Sequence, residues 1–229
     1  MDAYRTEDEQ VEALKRWWKE NGTSTLVSIA LVVGGYFGWQ AWTKSKLEQQ
    51  AAASANYQQL LQVSMELEQD ANDARYATAT HLVDTLKTDY PNTLYAHYAA
   101  LMQAKLLVEQ NDFDAAQAQL RWVIDSDPEP ELRQLANLRL ARILFTTGEA
   151  EQALAQMNSA DYGEFAPIYY ELRGDIHTSL GDLEAARQDY QSALASNADN
   201  PNATPLVRMK LESLPRDTAK QVDIANDES

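Results

Sequence analysis

The stretch Tyr170-Glu-Leu-Arg-Gly174-Asp-Ile-His177-Thr-Ser-Leu-Gly181-Asp-Leu-Glu-Ala-Ala186-Arg-Gln-Asp-Tyr190-Gln-Ser-Ala193 reads as two helices folded back on each other. Gly174 stands where the first helix passes its partner closely, and Gly181 makes the tight turn between them. Ala186 packs against the first helix, while Tyr190 and Ala193 close the pair. Ala, Leu, Gln and Glu dominate, and no long segment alternates apolar with polar β-branched residues, so the chain reads as all-α.

This pairing resembles a tetratricopeptide repeat, a 34-residue unit with fixed small and large positions. Two residues depart from that pattern: Arg173 takes a place usually held by Leu, and His177 one usually aromatic. The register recurs upstream. Ala104, Leu107, Asn111, Phe113, Ala116, Leu120, Val123 and Pro128 fit it, as do Ala141, Leu144, Gly148 and Ala153, with Met157 in a shortened second helix. A poorer unit holds Tyr76, Ala79, Val83, Leu86 and Pro91. Alanines 79, 116, 153 and 186 are 37, 37 and 33 residues apart, the near-constant spacing of stacked hairpins. Thr204-Pro205 starts a short capping helix carrying Leu206, Val207, Met209, Leu211 and Leu214, which covers an otherwise exposed stacking face. From Pro215 onward the chain is polar and acidic, and expected to be disordered.

Upstream of the repeats lies an apolar run, Leu26-Val-Ser-Ile-Ala-Leu-Val-Val-Gly-Gly-Tyr-Phe-Gly-Trp39. From Thr23 to Trp42 there are 20 residues and no charge. As a helix that reaches about 30 Å, the thickness of a hydrocarbon core. The acidic tail before it and the lack of a nearby small-residue cleavage site favour a retained anchor over a cleaved signal. Lys15, Arg16 and Lys19 before the run against Lys44 and Lys46 after it favour a cytoplasmic N-terminus, and Trp17, Trp18, Trp39 and Trp42 suit the two interfaces. Gly34 and Gly38 have two readings, a close-packing face for another membrane helix or ordinary membrane-helix glycines. No Gly or Pro separates Gly38 from Pro91, which suggests a continuous stalk with its first break at Asn72-Asp73. The expected organisation is a tail (1–22), a single transmembrane helix (23–43), a stalk and first helix (44–72), a tetratricopeptide-like helical-hairpin array with its cap (73–214), and a disordered tail (215–229).

A formal charge of −16 argues against nucleic acid as a partner, since phosphate binding needs clustered Lys and Arg. There is no cysteine, which removes disulfides, thiolate metal sites and Cys nucleophiles. His81, His97 and His177 lie far apart without a metal-binding spacing, and His177 falls at a packing position. Asp125-Ser-Asp127 lacks the Gly and Glu of a calcium loop and reads as a turn. No phosphate loop or nucleophile elbow is present, so neither catalysis nor a cofactor is expected.

A helical-hairpin array offers a concave face lined by the first helix of each pair. Projecting the register onto it gives Tyr98, Leu101, Lys105 and Val108, then Leu138, Arg142 and Phe145, then Ile168, Glu171 and Asp175. Lys105 and Arg142 fall at equivalent positions. They either bind a carbonyl or acidic group together or are solvated charges offsetting an acidic surface.

The acidic tail with Lys15-Arg-Trp-Trp-Lys19, the single anchor, and repeats ending in Glu171-Leu-Arg-Gly-Asp175 resemble the YfgM family of ancillary SecYEG translocon subunits. The resemblance implies a single-pass type II protein of the bacterial inner membrane with its C-terminal domain in the periplasm. Its implied partners are SecYEG, the membrane-anchored chaperone PpiD and exported polypeptides. It carries no defined site residues. Two other readings stand beside it: a scaffold that docks a folded partner without binding clients, and a cytoplasm-facing regulator of a signalling protein.

Overall fold

The computed structural model describes residues 7–157, 162–197 and 205–215. Among them every regular element is helical. The chain divides into two compact units, 1–54 and 55–229. Helix α1 (Glu7–Gln69) supplies the described part of the first and, from Ala55, the opening helix of the second. Thr204, expected to start the capping helix, and the tail beyond Pro215, expected to be disordered, lie outside the described residues.

In the first unit, α1 contains the only helix among the described residues long and apolar enough to cross a membrane. Its apolar side chains, from Leu26 and Val27 to Phe37 and Trp39, are exposed to a degree water would penalise. The hydroxyls of Thr25, Ser28 and Thr43 donate to the carbonyls of Asn21, Ser24 and Trp39, four residues back, at 2.9 Å each. Such back-bonding satisfies polar groups where hydrocarbon offers no partner. Lys46 Nζ lies 4.2 Å from the Trp42 ring centroid, a pairing suited to the interface.

The second unit is a stack of hairpins. After α1 come α2 (Asp73–Asp89), α3 (Leu94–Glu109), α4 (Phe113–Asp125), α5 (Pro130–Thr146), α6 (Ala150–Gln156), a 3-10 turn (Gly163–Phe165), α7 (Ala166–Leu180), α8 (Leu183–Ala195) and α9 (Pro205–Ser213). The pairs α3–α4, α5–α6 and α7–α8 pack antiparallel, and α9 packs on α8. Ala79, Ala116, Ala153 and Ala186 are all fully buried. A methyl at each allows close helix approach, which explains their spacing. The turns share one geometry: Asn111, Gly148 and Gly181 have φ of 62°, 88° and 80°. Asp112 and Asp182 then cap α4 and α8 by accepting from the amides of Ala115 and Ala185. Glu149 makes no such cap bond, and α6 is seven residues against thirteen in α4. The short α6 is followed by an aromatic stack, Tyr162 on Tyr169 with centroids 4.5 Å apart. Tyr162 donates to Met157 O at 2.8 Å and Tyr169 to Gln134 O at 2.6 Å, tying α7 to α5 and to the end of α6.

Gly174 has a specific steric reason. A Cβ there would lie 2.5 Å from Tyr190 Cε1. The equivalent register positions hold Ala104 with Leu120 and Ala141 with Met157, all buried in one continuous core. The glycine thus accompanies the largest partner side chain.

The two departures from the repeat pattern are matched by a third. Asp189 on α8, 6% exposed, bonds His177 Nδ1 at 2.7 Å and sits 3.4 Å from Arg173 Nη2. Arg173 Nη1 also donates to the Tyr162 hydroxyl at 3.0 Å. A Leu and an aromatic residue at 173 and 177 would need no carboxylate at 189.

Candidate functional site

The projected concave residues fall in different environments. Lys105, Val108 and Arg142 line one cavity of about 450 Å³, together with Phe113, Leu120 and Ile143. Helices α3, α4 and α5 build it, the second hairpin meeting the first helix of the third. Arg139, which the register does not project onto this face, lines it too. Its signal in sequence was a second arginine three residues before Arg142 in a strongly acidic chain.

Leu101 and Leu138 are a correction to the expected surface: each is 3% exposed and belongs to the core. The register tells which way a side chain points, whereas neighbouring helices decide whether it is covered. Glu171 and Asp175 are a second correction. Lys210 on α9 donates to Glu171 Oε1 at 2.8 Å and Asp175 Oδ2 at 2.7 Å, and the Tyr190 hydroxyl donates to Asp175 Oδ1 at 2.8 Å. The cap thus engages both carboxylates. Tyr98 and Ile168 remain exposed, and Tyr98 lies 6.2 Å from the Tyr57 ring. Phe145 is partly buried against the core. Lys105 is 3.7 Å from Glu68 and 3.6 Å from Glu109, and all three side chains are well exposed, so these pairs contribute little. A Cβ at Gly34 or Gly38 would meet nothing within 4 Å.

A larger cavity of mixed lining, about 690 Å³, lies beside the loops that precede α3 and α5, lined by Asn92, Leu94, Pro128, Glu129 and Arg133 with His97. In its wall the Asp125-Ser-Asp127 segment is a turn, with Ser126 Oγ donating to Val123 O and Asp127 paired to Arg133. Both ring nitrogens of His97 are sealed from solvent without a partner. Burial holds its pKa below the usual imidazole value, opposed by the Glu129 carboxylate. A depressed folded pKa makes the unfolded chain the stronger proton binder. The stability tied to neutral His97 is therefore complete above an unfolded pKa of about 6.5 and is lost as pH falls through the lower folded value. In a thermal melt series the gap between wild type and His97→Leu should change in that acid range alone. A gap constant with pH would refute this.

Among the described residues, no cluster of His, Asp and Glu is arranged to hold a metal ion. What the geometry defines is a stack of helical hairpins carrying an apolar, cation-lined cleft, the architecture of a helical-repeat protein. A tetratricopeptide repeat-like domain family matches residues 15–216. Over 213 residues the chain is 33% identical to the ancillary SecYEG translocon subunit of Haemophilus influenzae, covering 93% of this chain and all of that one. The subunit of that name from Escherichia coli is 29% identical over 93% of this chain and 99% of its own, and that of Neisseria gonorrhoeae 26% over 93% and 100%. The chain belongs to this family of ancillary SecYEG translocon subunits with a tetratricopeptide repeat-like domain.

Proposed function

We propose that the chain is a non-enzymatic accessory of the Sec translocon in the bacterial inner membrane. The observation that carries this is the end-to-end match to the Haemophilus influenzae translocon subunit, which takes in the apolar helix as well as the array. Residues 1–22 stay in the cytoplasm, 23–43 span the bilayer, 44–72 form the stalk, and the array 73–214 stands in the periplasm. There it binds a PpiD-like chaperone, emerging exported chains, or both. A single anchor confines the array near the channel exit, so weak contacts suffice at the high local concentration.

Photo-crosslinking from Tyr98 and Phe145 in cells is expected to trap translocon subunits, the chaperone or exported chains. Protease treatment of spheroplasts should degrade the array. Protection of the array, or crosslinks to none of these partners, would overturn the proposal.

A scaffold that docks a folded partner is the second reading. The burial of Leu101 and Leu138 and the capture of Glu171 and Asp175 by Lys210 favour it, because they shorten the face open to an extended chain. On that reading the purified protein binds its partner yet does not slow aggregation of an unfolded client.

A further inference from the structure

We propose that the cavity between α3, α4 and α5 binds a polypeptide segment that sets a Glu or Asp side chain beside a large apolar one. This rests on the concave-face reading above and names the chemistry that face selects.

Acidic residues outnumber basic ones 35 to 19 in this chain. The cavity inverts the balance. Lys105, Arg139 and Arg142 line it with Glu109 as the one carboxylate, and Glu109 already neighbours Lys105. Arg139 and Arg142 stand three residues apart on α5, and no carboxylate among the described residues pairs with either. Among the described residues the Arg139 guanidinium makes one hydrogen bond, a long one of 3.4 Å to Leu101 O. Burial and the charge of Arg142 both lower its proton affinity. Two guanidinium groups lining an apolar cleft, with no carboxylate paired to either among the described residues, form an open anion site, and their planar forks match a carboxylate.

The rest of the lining fixes the other half of the ligand. Val108, Phe113, Leu120 and Ile143 present carbon to a space of about 450 Å³, within the size range of ligand pockets. An apolar side chain entering it gains the contacts that an unfilled void lacks. In an extended segment, residues two apart project on the same side. A Phe two positions from a Glu therefore delivers both groups to one cleft. The occupant is a passing segment of another polypeptide, with the carboxylate on a side chain.

The test uses the full chain in lipid nanodiscs, with empty discs as the blank. The probes are acetylated, amidated Gly/Ser nonapeptides carrying one Phe and, two positions on, Glu or Gln. Fluorescence anisotropy should show the Glu peptide binding about tenfold tighter than its Gln counterpart, the scale of one charge-assisted hydrogen bond. The preference should vanish in Arg142→Gln, an exposed position whose change leaves the melt unaltered, and shrink in high salt. Equal binding of both peptides overturns the carboxylate assignment and leaves the concave-face reading standing. Binding of neither overturns both. A preference seen only when the carboxylate is moved to a free C-terminus overturns the side-chain assignment. Binding that appears only after residues 216–229 are deleted assigns the cleft to the chain's own acidic tail and also overturns the proposal.

Discussion

Gly174→Ala should lower the melting midpoint of the array by roughly 5–10 °C, corresponding to about 2–3 kcal/mol. The added Cβ would sit 2.5 Å from Cε1 and 2.6 Å from Cδ1 of Tyr190. Those are ring atoms of a side chain 2% exposed, so the ring has little room to swing away. Its hydroxyl is also held, donating to Asp175 at 2.8 Å and lying 3.3 Å from the Thr178 hydroxyl. Either α7 and α8 move apart or Tyr190 leaves its rotamer, and both disturb the core under the cap. The second hairpin supplies the cure. There Ala104 and Leu120 occupy the same two positions, buried in one core. Adding Tyr190→Leu to Gly174→Ala should therefore recover part of the loss, while Tyr190→Leu alone leaves a cavity beside the glycine. Additive losses in the double variant would show that Tyr190 is not the source of the clash.

Asp189→Ala should destabilise by about 2–3 kcal/mol, less than the 3–5 typical of a fully buried broken pair because Arg173 is 28% exposed. Removing the carboxylate strands a guanidinium and an imidazole that both approach it from α7. The effect should reach beyond one hairpin. Arg173 also holds the Tyr162 hydroxyl, which in turn bonds Met157 O at the end of α6. Two variants separate partner loss from simple volume loss. Asp189→Asn keeps the shape and one acceptor and should cost less. A triple change, Arg173→Leu with His177→Tyr and Asp189→Leu, returns the usual residue types to the repeat and should regain most of the stability, since an apolar trio needs no charge pairing. Thermal melts of the full chain in detergent, against the wild type, give all three values. Equal losses for Asp189→Ala and the triple variant would sink the account.

The two expectations differ in how much of their origin the sequence displays. Gly174 was recognisable as a small residue at a crossing point because helix periodicity sets which positions face a partner. The buried alanines and the turns at 111, 148 and 181 were legible for the same reason. Arg173 and His177 were visible only as departures from a pattern. Their explanation, Asp189, sits 16 and 12 residues further on, on another helix whose face toward them is set by the hairpin fold.

Concave-face residues show the same division. Periodicity placed Lys105, Val108 and Arg142 on one side of their helices, and the structure brings them to one cleft. It gave no warning that Leu101 and Leu138 are covered, or that Lys210 reaches back 39 and 35 residues to Glu171 and Asp175. Arg139 went unnoticed because its place in the cleft depends on how closely α3 and α5 approach.

By itself the chain's order of residues determined the long apolar helix, the helix pairs and their near-constant repeat. Those follow from interactions within a few positions, where apolar spacing and glycine turns act directly. Only the tertiary structure decided which projected residues remain open, which charges are answered inside the chain, and where two arginines are left without a carboxylate among the described residues. Those outcomes depend on helices packed from distant parts of the chain, and local periodicity carries no record of which charges they bring together.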